Sequence, residues 1–187
     1  MLLIFLGLLL WSAAHFAKRL SPDLRAGFIR KCGEGPWKGL VTALLILSVL
    51  LMVFGYRGAL GSPLWSLPSW AWHVNNSLMI IAVLLVGMSH STGWLGTRLR
   101  HPMLISVIVW AIAHLLVNGD SPSLLLFGGL GLWAIVEIIL INRAEGPWTR
   151  PAPGPIKKDF ILAGITVAVF GVITLIHGLI GPSPFPG

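Results

Sequence analysis

Residues Arg100 to Asp120, RHPMLISVIVWAIAHLLVNGD, form an apolar stretch with one imidazole in its interior, His114. A polar side chain in such surroundings is costly unless it binds something or finds a partner. Trp110 precedes His114 by four residues and Asn118 follows it by four, so a helix stacks all three on one face. Trp11 and His15 repeat that spacing near the N-terminus. Flat aromatic walls beside a neutral imidazole nitrogen suit an axial ligand to haem iron. The competing reading is that His114 hydrogen-bonds a carbonyl or hydroxyl on a neighbouring helix and fixes packing. His15 is the less isolated of the two, because Lys18 and Arg19 bring water within a turn.

Further groups have chemistry of their own. Glu137, four residues after Trp133, is the only carboxylate inside an apolar run. It is either a functional group by default or a partner for the nearby Asn142 and Arg143. Arg100 and His101 approach the same end of the molecule, so the sequence predicts a charged cluster of Arg100, His101 and Glu137. His73, His90 and His177 fall near run ends, where interfacial solvation accounts for them. Cys32 reads as a plain exposed thiol, and as the only cysteine it excludes an internal disulfide.

The elements that must position these residues follow from hydropathy. With 56% hydrophobic and 10% charged residues in 187, a soluble domain would have no way to hide its apolar surface. The fold class is all-α, a polytopic transmembrane helix bundle with the lipid bilayer as its main partner. Runs of about 17 to 25 apolar residues mark spans. Six are expected, at about 2–17, 39–56, 72–89, 102–117, 124–141 and 160–180, within a single domain over 1–187. Twelve of the thirteen Lys and Arg fall in the first, third and fifth loops. The net charge of +7 therefore reflects topology and not nucleic-acid binding. It places those loops in the cytoplasm and both termini outside. Arg57 is the exception, beside the Trp65, Trp70 and Trp72 belt.

Ser12-Ala13-Ala14 after an apolar N-terminus raises the possibility of a signal peptide. Such a peptide carries positive charge before its apolar core, whereas Lys18 and Arg19 follow it here, so the first run reads as a retained helix. Gly33-Glu34-Gly35-Pro36 and Gly146-Pro147 are turn signals, and Pro151 to Pro155 is a stiff linker. Pro102 suits the first turn of the fourth helix, and Asn118-Gly119-Asp120 its end. Gly128, Gly129 and Gly131 invite close approach of a neighbouring helix. No repeat of 20 to 50 residues recurs.

The runs RHPM, WAIAHLLVNGD and SLLLFGG, with HFAKRLSPDLRAGF near the N-terminus, closely resemble the NnrU family of bacterial membrane proteins over essentially the whole chain. The resemblance implies a multi-pass protein of the bacterial inner membrane, linked to denitrification and nitric oxide metabolism. A membrane redox protein or a nitrogen-oxide reductase is the partner it implies. A plant relative of the fold, 15-cis-zeta-carotene isomerase, is a haem b enzyme whose iron is bound by histidines in two transmembrane segments. Matched to this chain, those ligands are His15 and His114, with Trp110, Asn118, Arg100 and His101 in support. The isomerase's cysteine three residues before its second histidine is replaced here by Ala111, which removes ligand exchange of that kind.

Two alternatives accompany the haem reading. One is a cofactor-free accessory protein for assembly of a nitrogen-oxide reductase. The other is a membrane methyltransferase, since Arg100-His101-Pro102 is similar to the motif of isoprenylcysteine carboxyl methyltransferases, although their paired glutamates are missing downstream. Depth is a further constraint, because His114 stands more than three turns beyond His101, while His15 is about one turn from the cytoplasmic edge. Axial histidines hold their Cα atoms within about 13 Å, given metal–nitrogen bonds near 2 Å. His15 would then pair with His101 unless helix tilt closes the gap.

Overall fold

Where water is absent, every backbone donor and acceptor must be satisfied within the chain, and apolar segments do this as helices. The computed structural model describes residues 1–181 and 183–185. Its helices are α1 (Leu2–Leu20), α2 (Pro22–Cys32), α3 (Glu34–Arg57), α4 (Trp70–Met88), α5 (Pro102–Val117), α6 (Ser121–Glu145) and α7 (Lys157–Ile180). Proline opens α2 and α5, where its missing N–H costs no hydrogen bond. Gly146 ends α6 at a φ of 70°, a left-handed conformation that favours glycine. The Asp120 carboxylate caps α6 by accepting from the Ser123 N–H at 2.8 Å.

Five of these helices, α1, α3, α4, α6 and α7, are long and apolar enough to cross a membrane. Several such helices in one chain mark a multi-pass membrane protein. Helix α5, expected as a further span, is shorter than these five: its 16 residues rise about 24 Å against a hydrocarbon thickness of about 30 Å. The polar first loop also holds an unexpected element. Helix α2 has no buried residue and leans on α3 through Phe28 and Trp37, ring centroids 5.5 Å apart.

Loop contacts show how α5 runs. At one end of the bundle, the N–H groups of Leu64 and Trp65 donate to the Gly119 carbonyl at 2.7 and 3.1 Å. The Trp65 indole N–H donates to the Leu115 carbonyl at 2.9 Å. At the other end, Arg100 donates to the Gly146 carbonyl at 2.7 Å, and the Asp159 carboxylate accepts from the N–H groups of Trp94 and Leu95 at 3.1 Å each. The chain therefore leaves one end in α4 and returns to it in α5. This second end carries Arg98, Arg100, Arg150, Lys157 and Lys158 and is the basic end.

Helix α6 sits between α1 and α5, while α1 also packs on α3, and α4 on α5 and α7. Small residues set the closest approaches. A Cβ on Gly55 would lie 2.7 Å from the Ile4 backbone nitrogen, and one on Gly129 2.6 Å from Leu8. Ser106 of α5 donates to the Ala82 carbonyl of α4 at 2.9 Å in a buried contact.

The path of α5 makes topology testable. Reporter fusions after Leu60 and after Arg150 should lie on opposite sides of the membrane, with Arg150 cytoplasmic, because α4, α5 and α6 intervene. A fusion after Gly187 should return to the outside. Leu60 and Arg150 reporters on the same side would mean that α5 does not cross.

Candidate functional site

The two Trp-x-x-x-His pairs take the same local geometry. In α1 the His15 Nδ1 lies 2.9 Å from the Trp11 carbonyl, and in α5 the His114 Nδ1 lies 2.9 Å from the Trp110 carbonyl. A carbonyl only accepts, so Nδ1 carries the proton in both rings and Nε2 keeps the lone pair. Each imidazole also rests on the tryptophan before it, with centroids at 4.4 Å for Trp11–His15 and 4.9 Å for Trp110–His114.

Both rings are closed in by α6. Trp133 meets His15 edge-on at 4.7 Å and Trp11 at 5.2 Å. Phe127 stacks on His114 at 4.6 Å and meets Trp110 at 5.0 Å. Phe127 lies in Leu124–Gly128, a π-helical turn of α6, and such turns recur at functional sites. The sequence reading named neither Phe127 nor Trp133 as a partner of these histidines. Ring stacking covers the faces of an imidazole and leaves the in-plane lone pair of Nε2 available, which is the direction an iron ligand uses.

Two cavities lie near the histidines, and His15 lines neither of them. The larger, about 710 Å³, is walled by Trp11, Trp110 and Trp133, with Tyr56, Arg57 and His177 toward the end opposite the basic one. A smaller cavity of about 220 Å³ is lined by His114, Asn118, Asn75, Asn76 and His177. Neither of these two cavities is lined by both His15 and His114. The rings sit at two levels of α6, Trp133 and Phe127, six residues and about 9 Å of rise apart.

Asn118 lines the same small cavity as His114. Its amide donates to the His114 carbonyl at 2.9 Å and closes the helix end. His101 lies at the basic end, where its Nε2 is 2.9 Å from the Asn142 side-chain oxygen. The predicted charged cluster of Arg100, His101 and Glu137 does not form. Arg100 instead meets Glu145 at 3.3 Å, and Glu137 pairs with Arg19 of α1. His101 stands level with Asn142, and Glu137 lies five residues deeper on α6, facing α1 rather than α5.

This ion pair is largely withdrawn from solvent, with 18% of the Arg19 and 7% of the Glu137 side chain exposed. One carboxylate oxygen, Oε2, is buried without a hydrogen bond, as are the indole nitrogens of Trp11 and Trp133. Along α1 the stripe Trp11, His15, Arg19 therefore faces the stripe Trp133, Glu137 along α6. Both have a spacing of four, which is the signal in the sequence that could have paired them. Among the described residues no group of three or more His, Cys, Asp or Glu could hold a bare metal ion.

The family model described as NnrU protein matches residues 3–184. No curated protein and no solved structure matches the chain.

The ion pair makes a double-mutant prediction. Glu137→Leu or Arg19→Leu alone leaves a buried charge without its partner, a loss of about 3 to 5 kcal/mol. Each should lower the thermal unfolding midpoint in detergent clearly, and the double variant should recover most of the loss. A double variant no more stable than the singles would show that the two residues do not act as a pair.

Proposed function

Because the chain belongs to the NnrU family, we propose that it binds haem b within the bilayer, with the Nε2 atoms of His15 and His114 as iron ligands. On this reading it acts in nitrogen-oxide metabolism at the bacterial inner membrane, or in redox chemistry akin to that of the isomerase. The observation that carries the proposal is the shared geometry of the two histidines. In each, Nδ1–H is held by the carbonyl four residues back, the second-shell bond that fixes the tautomer and aims the other nitrogen at a metal. The donor set fits the group in chemistry, with neutral imidazoles and flat indole walls, but neither His15 nor His114 lines the space of about 710 Å³, so one iron takes both only if the helices shift to bring the two Nε2 atoms to it.

The chain's own residues would do three things. Trp11, Trp110 and Trp133 wall an apolar space of about 710 Å³, within the range of small-molecule and cofactor sites, and exclude water from it. Arg57, lining its outer end, offers a cation to an acidic substituent. Phe127 and Trp133 hold the imidazole rings by their faces. Haem, when bound, would supply one-electron chemistry and a site for a diatomic gas.

Absorption spectra of detergent-purified protein test the reading. The native chain should show a Soret band, His114→Ala should abolish it, and His15→Ala should shift or weaken it. Insertion should survive both, since alanine preserves the hydrophobicity of the helices. His101→Ala, whose imidazole is engaged by Asn142, should leave the spectrum unchanged. Loss of the band in His101→Ala with His114→Ala unaffected would assign the ligand to the basic end instead. Absence of any band from native protein would leave the cofactor-free accessory role.

A further inference from the structure

Helix α7 is the least covered of the five membrane-length helices, with only 11% of its spanning window buried inside the protein. It touches α4 closely at one point, where Leu162 sits in the notch of Gly87 and a Cβ on that glycine would be 2.4 Å from Leu162. Around this point the two helices leave a groove of about 470 Å³. Its two ends differ in chemistry. Toward the basic end it is lined by His90, Ser91, Thr92 and Lys158, and farther in by Val83, Ile165 and Val169.

The charge at the polar end is positive and held in place. Lys158 donates to the Thr92 hydroxyl, and His90 lies beside them. The neighbouring carboxylate of Asp159 is occupied by the N–H groups of Trp94 and Leu95, so it is directed to backbone rather than to the groove. From Lys158 the groove continues along α7 to Val169, eleven steps of the helix and about 16 Å. That length is close to half of the roughly 30 Å hydrocarbon thickness, the depth of one leaflet.

We propose that this groove binds one anionic phospholipid, its phosphate at Lys158, Thr92 and His90 and an acyl chain laid along Val83, Ile165 and Val169. An apolar furrow in contact with lipid fills with hydrocarbon, and the cation at its mouth selects the charge of the headgroup. The bound lipid supplies the cover that α7 lacks from protein, and so ties this helix to α4. The site is separate from the histidine and tryptophan cavities and does not depend on their reading.

The test uses the full chain purified in detergent, with phosphatidylglycerol and phosphatidylcholine as probes. Native mass spectrometry counts retained lipid, and tryptophan fluorescence follows thermal unfolding. Phosphatidylglycerol should be retained in preference and should raise the unfolding midpoint more than phosphatidylcholine does. Lys158→Ala should weaken that preference about fivefold, the effect of one basic residue near a lipid surface, and Lys158→Arg should keep it. Ile165→Trp, which fills the furrow, should reduce retention of both lipids; if it fails to fold, Val169→Phe serves at the far end. Equal retention of the two lipids by native protein would overturn the proposal. So would unchanged phosphatidylglycerol retention in Lys158→Ala, or equal stabilisation by free glycerol phosphate without an acyl chain.

Discussion

A carboxylate two turns inside an apolar helix must be neutralised without water, and Glu137 meets this demand by drawing Arg19 of α1 onto α6. Much of the arrangement follows from that contact. Arg19 and His15 share one face of α1, as Glu137 and Trp133 share one face of α6, so pairing the charges brings His15 against Trp133. A one-residue slip of α1 would turn its stripe by about 100° and aim His15 and Arg19 away together. The ion pair is thus a register device for the helix that carries the first candidate ligand. Register setting is the best-attested role of a buried polar pair.

The other half of the bundle is registered by backbone contacts. Trp65 bonds the Leu115 and Gly119 carbonyls at one end, and Arg100 bonds the Gly146 carbonyl at the other. These two clamps fix the depth of α5 against α4 and α6 although α5 is short. The π-helical turn then presents Phe127 to His114 and Tyr56 at centroid distances of 4.6 and 6.0 Å. The same constraint, satisfaction of polar groups within the chain, accounts for both halves. It leaves α7 as the helix whose packing depends most on what surrounds the protein.

The all-helical membrane architecture and the two Trp-His pairs were legible in the sequence, because hydropathy and a spacing of four depend on neighbours along one helix. Nearly every span was found by that route, with ends displaced by a few residues where polar side chains extend a helix past its apolar core. Glu34 begins α3 five residues before the apolar run does, and Lys157 begins α7 three residues before its own. The small residue Gly129 was recognised as a place of close approach, and Leu8 fills it.

What the sequence by itself determined was which residues share a face, and how apolar each face is. It did not determine which faces meet. Arg100 and Glu137 approach the same end of the chain's helices, yet Glu137 turns to Arg19 and Arg100 to Glu145. The partners are 118 and 45 residues apart, and periodicity along each helix shows which residues form a stripe but not which stripe it meets. The separate cavities of Trp11 and His114, and the groove beside α7, likewise exist only once three or more helices are assembled. Helix rotation and depth are set by packing against neighbours, and that information belongs to the tertiary structure.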